Sequence, residues 1–142
     1  MKTGHILATA VLVLAWVPAT RADDTLAGSL EQVSKDQIAA FNREDIAATM
    51  SFAHTKSPTY DEAAKEMVTN DFKTEDLKAE ELSFQYIGHD DEFAYARVKV
   101  KVTSSGTKGF DDNIMDTVTL FHQEGGTWKV WDTYLIGGRL EK

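Results

Sequence analysis

The sequence predicts an α+β domain, helices first and an antiparallel sheet after them. Three observations carry this. Apolar side chains recur at helical spacing from Asp23 to Phe72; from Leu82 the apolar period becomes two; and Glu124-Gly125-Gly126-Thr127 separates two alternating segments near the end. The Gly-Gly pair suits a tight hairpin, because a type I′ turn needs positive φ at both central residues. At 142 residues the chain has room for one domain.

The first residues stand apart from that domain. Lys2 and His5 precede an apolar run from Ile6 to Val17, closed by Pro18-Ala19-Thr20-Arg21-Ala22. This order is that of a secretory signal peptide, and the run is shorter than the ~20 residues a spanning helix needs. Cleavage after Ala22 is favoured over cleavage after Ala19. The expected organisation is a signal peptide over residues 1–22 and a single domain over 23–142, exported to the periplasm or outside, with no stable membrane insertion after cleavage. Losing Lys2 and Arg21 would take the formal net charge from −8 to −10. A field of that sign argues against nucleic acid and anionic membranes as partners. The chain has no cysteine, so neither a disulfide nor a lipid-modified cysteine is available. A domain of this size buries roughly 65% of its unfolded surface, enough for one core without covalent staples.

Taken in order, Asp23 to Arg43 places Leu26, Leu30, Val33, Ala40 and Phe41 on one helical face, with Ile38 beside them and Gln37 interrupting. Asn42 reads as the end of this helix and the cap of the next, with Asp45 at the positive end of the new dipole. Ile46, Met50 and Ala53 form the apolar side of that second helix. Pro58 breaks the pattern, and Thr59-Tyr60-Asp61-Glu62 matches a capping box opening a third helix with Ala63, Ala64, Met67 and Phe72 on its apolar side. Residues 74–81 fit a loop, an extra turn or the start of a strand.

The strands come next. Leu82, Phe84 and Tyr86 alternate with polar residues, and Gly88-His89-Asp90-Asp91 turns the chain. Ala94, Ala96, Val98, Val100 and Val102 then share one face, with Phe93, Tyr95, Arg97, Lys99 and Lys101 on the other. A loop from Ser104 to Asn113 leads into Ile114 to His122. In the last strand Trp128, Val130, Asp132, Tyr134 and Ile136 share one phase, and Lys129, Trp131, Thr133 and Leu135 the other.

Three stretches resemble the nuclear transport factor 2-like superfamily, which includes the SnoaL-like domains. They are Asn42-x-x-Asp45-Ile46-x-x-x-Met50, the segment His54 to Tyr60, and Gly126-Thr127-Trp128-Lys129-Val130. The likeness runs from about Leu30 to Ile136. It implies a cone-shaped half-barrel, helices packed on a curved antiparallel sheet around a pocket, commonly as a dimer. It implies no single activity, because cyclases, isomerases, dehydratases, transport factors and assembly domains share the fold.

Candidate site residues come from phase and from that resemblance. Asp132 sits among large apolar residues, where a carboxylate must be paired, protonated or wet. It is the expected polar fixture of the pocket and the candidate acid–base group. Tyr134 and Trp128 share its phase. Asp116 shares the phase of Ile114, Val118 and Leu120 and is a weaker candidate, since Met115, Thr117, Thr119 and Phe121 fit the inner face almost as well. His54 and Tyr60 flank the segment that, in the resembling proteins, borders the pocket mouth. His122 reads as solvated. Asp90, Asp91 and Glu92, and separately Asp111 and Asp112, lack the spacing of a calcium loop. No zinc, nucleotide or nucleophile-elbow pattern occurs, so no metal and no cofactor are expected.

Two functions remain open. One is a non-catalytic module that binds a small, largely apolar molecule or serves dimeric assembly; the other is a cofactor-independent acid–base enzyme built on Asp132. The binding module is favoured, because no residue-by-residue match to an isomerase-type triad is found. Large apolar groups on both faces of the sheet lead to the expectation of a homodimer through the outer face, with Trp131 near its centre.

Overall fold

The computed structural model describes residues 20–67, 72, 76–105 and 112–140. The apolar run expected to be a signal peptide and the glycines of the 104–113 loop lie outside these residues. Helices α1 (Thr20–Asn42), α2 (Ile46–Ser51) and α3 (Tyr60–Glu66) precede strands β1 (Leu77–His89), β2 (Phe93–Ser104), β3 (Asn113–Glu124) and β4 (Thr127–Leu140). The strands form one antiparallel sheet in sequential order. This is the α+β half-barrel expected from the sequence.

Helix α1 lies across the inner face. Leu30 and Ala40 are fully buried, and Leu26 and Val33 pack beside the core of Leu30, Ala94, Ala96, Val98 and Phe121. Small residues at 94 and 96 let the helix approach the sheet closely, and Phe121 fills the space between. Asn42 does not cap α2. Its side-chain amide instead donates to the Ala79 carbonyl at 2.7 Å and its oxygen accepts the Ala79 N–H at 2.7 Å, tying α1 to β1. The cap is Asp45, which accepts the Ala48 N–H at 2.9 Å. Nor does Thr59 close its expected capping box: no side-chain cap bond forms, and its hydroxyl faces that of Ser57 at 3.1 Å.

The segment between α2 and α3 is fastened to β4. The Val130 N–H donates to the Phe52 carbonyl and the His54 N–H to the Val130 carbonyl, both at 2.8 Å. Lys129 Nζ donates to the Ser51 carbonyl at 2.7 Å, and Glu124 accepts from Thr55. That Thr55 hydroxyl is the main cause holding the Glu124 carboxyl below its usual range. The Gly-Gly turn forms as expected, with φ of 60° at Gly125 and 81° at Gly126.

Four inserted residues interrupt the alternation. The register slips by one at Leu82 and Ile87 in β1 and at Trp131 and Ile136 in β4. Each slip reverses the phase of the residues beyond it. Leu82, expected on the face of Phe84 and Tyr86, is 44% exposed, while Phe84 and Tyr86 pack on the core. In β4, Trp128 and Val130 face the core, but after Trp131 the inward residue is Thr133, opposite buried Thr119. The expected single phase from Trp128 to Ile136 therefore does not exist. Asp132 and Tyr134 pair with Leu120 and Val118, on the face turned away from the core.

Candidate functional site

A cavity of about 660 Å³ opens where the helices and the sheet diverge. The last turns of α1 contribute Gln37, Ile38 and Phe41; α2 contributes Thr49 and Met50; α3 and its end contribute Tyr60, Ala63 and Met67. The sheet supplies Leu77, Ala79, Val100, Val102, Asn113 and Met115. These strand residues alternate because each inner position repeats every second residue along a strand. Val130, Trp131, Asp132 and Thr133 close one side, where the bulge at Trp131 puts consecutive residues against the same opening. Gln37 breaks the apolar stripe of α1 because that part of the helix faces this hollow.

The walls mix apolar side chains with polar ones, Gln37, Thr49, Ser57, Thr59 and Thr133 among them. Asn113 Oδ1 is buried with no hydrogen-bond partner among the described residues. Tyr60, Glu62, Glu66 and Asp132 border the space, and no Lys, Arg or His is among the described residues lining it. The Asp132 carboxylate accepts the Thr133 N–H at 2.8 Å. Hydrogen bonding to Asp132 also raises the pKa of the Tyr134 hydroxyl.

The structure divides the six residues singled out from sequence. Tyr60 and Asp132 line the cavity. Asp132 reaches it from the mouth and not from the inward phase, because the Trp131 bulge has reversed the strand by that point. Trp128 packs on the filled core. Tyr134 is exposed on the outer face. Asp116 is corrected to the outer face as well, since Thr117, Thr119 and Phe121 take the buried positions of β3. There it accepts from Arg97 Nε at 2.8 Å and Nη2 at 2.5 Å, with Lys99 Nζ at 4.0 Å. The Arg97 hydrogen bonds hold its carboxyl below the usual range.

His54 is 3% exposed and belongs to a knot of rings beside the cavity. Its Nδ1 accepts the Lys56 N–H at 3.0 Å, its Nε2 lies 3.1 Å from His122 Nδ1, and its ring meets Trp131 edge-on at 4.9 Å. Phe93 packs against both His122 and Trp131. His122, expected in solvent, is thus half-buried and engaged. Trp131 contributes to this knot and to the cavity rim together. Among the described residues, no group of three or more His, Asp or Glu side chains is placed to hold a metal ion.

Sequence reasoning passed over Asn113; it read Met50 and Met67 as packed helix faces and Met115 as a possible inner-face residue, none of them as cavity wall. Gln37 was the one available signal, a polar residue where the helical stripe called for an apolar one.

No curated protein matches the sequence. Solved structures match the fold. A hexachlorocyclohexane dehydrochlorinase from Novosphingobium barchaimii LL02 is 9% identical, with 85% of this chain and 94% of that one covered and a TM-score of 0.64. An NTF2-like protein of unknown function from Pseudomonas putida KT2440 is 11% identical, covering 79% and 86%, with a TM-score of 0.63. A ketosteroid isomerase-like protein from Erwinia carotovora atroseptica SCRI1043 is 20% identical, covering 78% and 96%, with a TM-score of 0.57. At these identities the likeness establishes the nuclear transport factor 2-like fold and nothing of activity. Sequence comparison is more specific: residues 32–137, nearly the whole described domain, match one family, and the chain belongs to that of the anti-sigma-I factor RsgI9, C-terminal domain.

Proposed function

We propose that this domain is a binding module whose cavity takes a small, largely apolar molecule. The observation that carries the reading is the cavity itself: about 660 Å³, walled by Ile38, Phe41, Met50, Met67, Val102 and Met115, with polar groups such as Gln37, Thr49 and Tyr60 set among them. That size and lining are the usual layout of a small-molecule site. Three flexible methionines in the wall suit a ligand of adaptable shape.

The alternative, acid–base catalysis by Asp132, has less support. Its carboxylate is engaged by Thr133 N–H and the Tyr134 hydroxyl on the sheet surface. A base must reach the proton it abstracts, and Tyr134 competes for the same oxygen atoms. The family description also favours binding, since an anti-sigma factor is a regulator. Two expectations from the sequence complete the proposal: export after cleavage near Ala22, checked by mass spectrometry of the exported chain, and pairing of two copies through the outer sheet face, checked by light scattering.

The pocket reading is tested with the apolar dye N-phenyl-1-naphthylamine. Fluorescence should rise on binding to the native protein. Ala63 lines the cavity but is otherwise exposed, so Ala63→Trp should fill the space without disturbing the core. A loss of dye affinity of at least tenfold, with an unchanged melting temperature, is expected. Dye binding that Ala63→Trp leaves intact would place the site elsewhere.

A further inference from the structure

The knot of rings beside the cavity does more than pack. The Lys56 N–H points at His54 Nδ1 from 3.0 Å, and a backbone N–H can only donate, so that nitrogen carries no proton. A neutral His54 therefore holds its proton on Nε2, which faces His122 Nδ1 at 3.1 Å. His122 Nδ1 must then be bare as well, and the His122 proton sits on Nε2, towards Glu92 Oε1 at 3.6 Å. One contact is left frustrated: the bare His122 Nδ1 lies 2.9 Å from the Gln123 carbonyl oxygen, an acceptor against an acceptor.

That mismatch marks where a further proton goes. On His122 Nδ1 it gives the Gln123 carbonyl a donor, but it also confronts the His54 Nε2–H. His54 is 3% exposed, so water cannot relieve the clash. The remaining arrangement has His54 carry its own proton on Nδ1, where Glu124 Oε1 lies 3.7 Å away. His54 Nε2 then accepts from His122, and the Lys56 N–H loses its partner. The count closes with one proton taken from solvent, one moved within His54 and one hydrogen bond of the 52–58 segment given up. The charged groups around the pair are Glu124 at the end of β3, Glu92 in the β1–β2 turn and Lys129 on β4, the last held 3.5 Å from Glu124.

The bond given up belongs to the cavity wall. Ala53 and Ser57 on either side of it line the space, and the Ser57 N–H donates to the His54 carbonyl at 2.9 Å. Trp131 lines the space too and touches both rings, at 4.9 Å from His54 and 5.3 Å from His122.

We propose that the His54–His122 pair is a proton-operated latch on the cavity. With both rings neutral the 52–58 segment is fastened and ligand is held; uptake of one proton frees the Lys56 N–H and lowers affinity. The exchange of bonds stands on the ring geometry alone, and the fall in affinity rests in addition on the reading of the cavity as a binding pocket.

Two measurements on the intact protein decide it, made between about pH 7.5 and about pH 5.5, the range in which imidazoles ordinarily change charge. Nitrogen NMR of the rings should find the His54 proton on Nε2 at the upper pH and on Nδ1 at the lower, while the Lys56 amide loses protection against hydrogen exchange. N-phenyl-1-naphthylamine stays neutral over this range and should bind about fivefold more weakly at the lower pH, the worth of one hydrogen bond. His122→Asn offers an amide oxygen near the place of Nδ1, an acceptor that does not titrate, and should hold affinity level across the range. His89→Gln, at the end of β1 and outside the knot, should leave the pH dependence intact. Proton uptake with Lys56 protection unchanged, or a pH dependence that survives His122→Asn, would overturn the latch and leave the pocket standing. Failure of the dye to bind at any pH would overturn the pocket reading and the affinity half of the latch. The ring and amide signals of the native protein decide the bond exchange even then, and even where a variant does not fold.

Discussion

The inner face of the sheet has two ends with opposite fates. At one end Ala94, Ala96 and Val98 meet the first half of α1, and Leu30 and Phe121 fill the gap completely. At the other end Val100, Val102 and Met115 face a hollow bounded by the last turns of α1, by α2 and by α3. The same strands supply both ends, so strand composition does not make the difference. What differs is the cover: the first half of α1 over one end, and over the other its last turns with helices of only 6 and 7 residues. The filled end holds the fold together; the hollow end is free to be a site.

The comparison is broken most sharply by truncating one large side chain at each end. Phe121→Ala should cost about 3–5 kcal/mol, because a fully buried ring leaves a cavity its neighbours cannot close. Met115→Ala should cost no more than about 1 kcal/mol, since that side chain already borders empty space, while changing dye affinity. Denaturant melts of the two variants check both values, and equal losses would mean that the hollow end is packed in solution.

Next in size is the knot beside the cavity. His54→Ala removes a ring in contact with His122 and Trp131 and the acceptor for the Lys56 N–H. A loss of about 1–3 kcal/mol is expected, within the usual range for losing a buried polar partner. Because the same segment carries Ala53 and Ser57 of the wall, dye affinity should fall as well.

Asn113→Leu should act in the other direction, raising stability by about 1 kcal/mol as an unpaired acceptor is replaced by an apolar group. Denaturant melts check the sign, and a destabilised variant would mean that the amide oxygen is paired in solution.

The smallest effect lies far from both ends, in the β1–β2 turn. The Tyr95 hydroxyl donates to Asp90 at 2.5 Å, and with the Phe93 and Glu92 N–H groups it lowers the Asp90 pKa from 3.8 to about 2. A carboxyl depressed in the folded state contributes stability above its unfolded pKa and loses it as pH falls through the folded one. The contribution should therefore disappear between about pH 4 and about pH 2. Tyr95→Phe should flatten melting temperature against pH in that window.

Much of the architecture was legible in the sequence. The period of Leu26, Leu30 and Val33, the run of Ala94 to Val102 and the Gly125-Gly126 turn express local geometry, and local geometry is written in local residues. The bulges were not legible. A single inserted Trp131 leaves composition and alternation on either side intact, yet it turns Asp132 and Tyr134 away from the core. Bulged positions such as Leu82, Ile87 and Ile136 are large and apolar like core residues, so nothing marks them as exposed until the register is known. Asp116 was misplaced for a related reason: both faces of β3 carry apolar residues, and only its pairing with β2 selects Thr117, Thr119 and Phe121. The His54–His122 contact joins residues 68 positions apart, a juxtaposition that only the folded chain creates. The cavity was expected from the resemblance and from Asp132 in an apolar phase, and that phase is the one the Trp131 bulge reverses.

Methyl NMR of the methionines tests the central claim most directly. The chain has four: Met50, Met67 and Met115 line the cavity, and Met1 lies outside the described residues. Titration with N-phenyl-1-naphthylamine should shift the methyl signals of Met50, Met67 and Met115 together, in fast or slow exchange according to affinity. Saturable dye binding with those three signals unchanged would contradict the account.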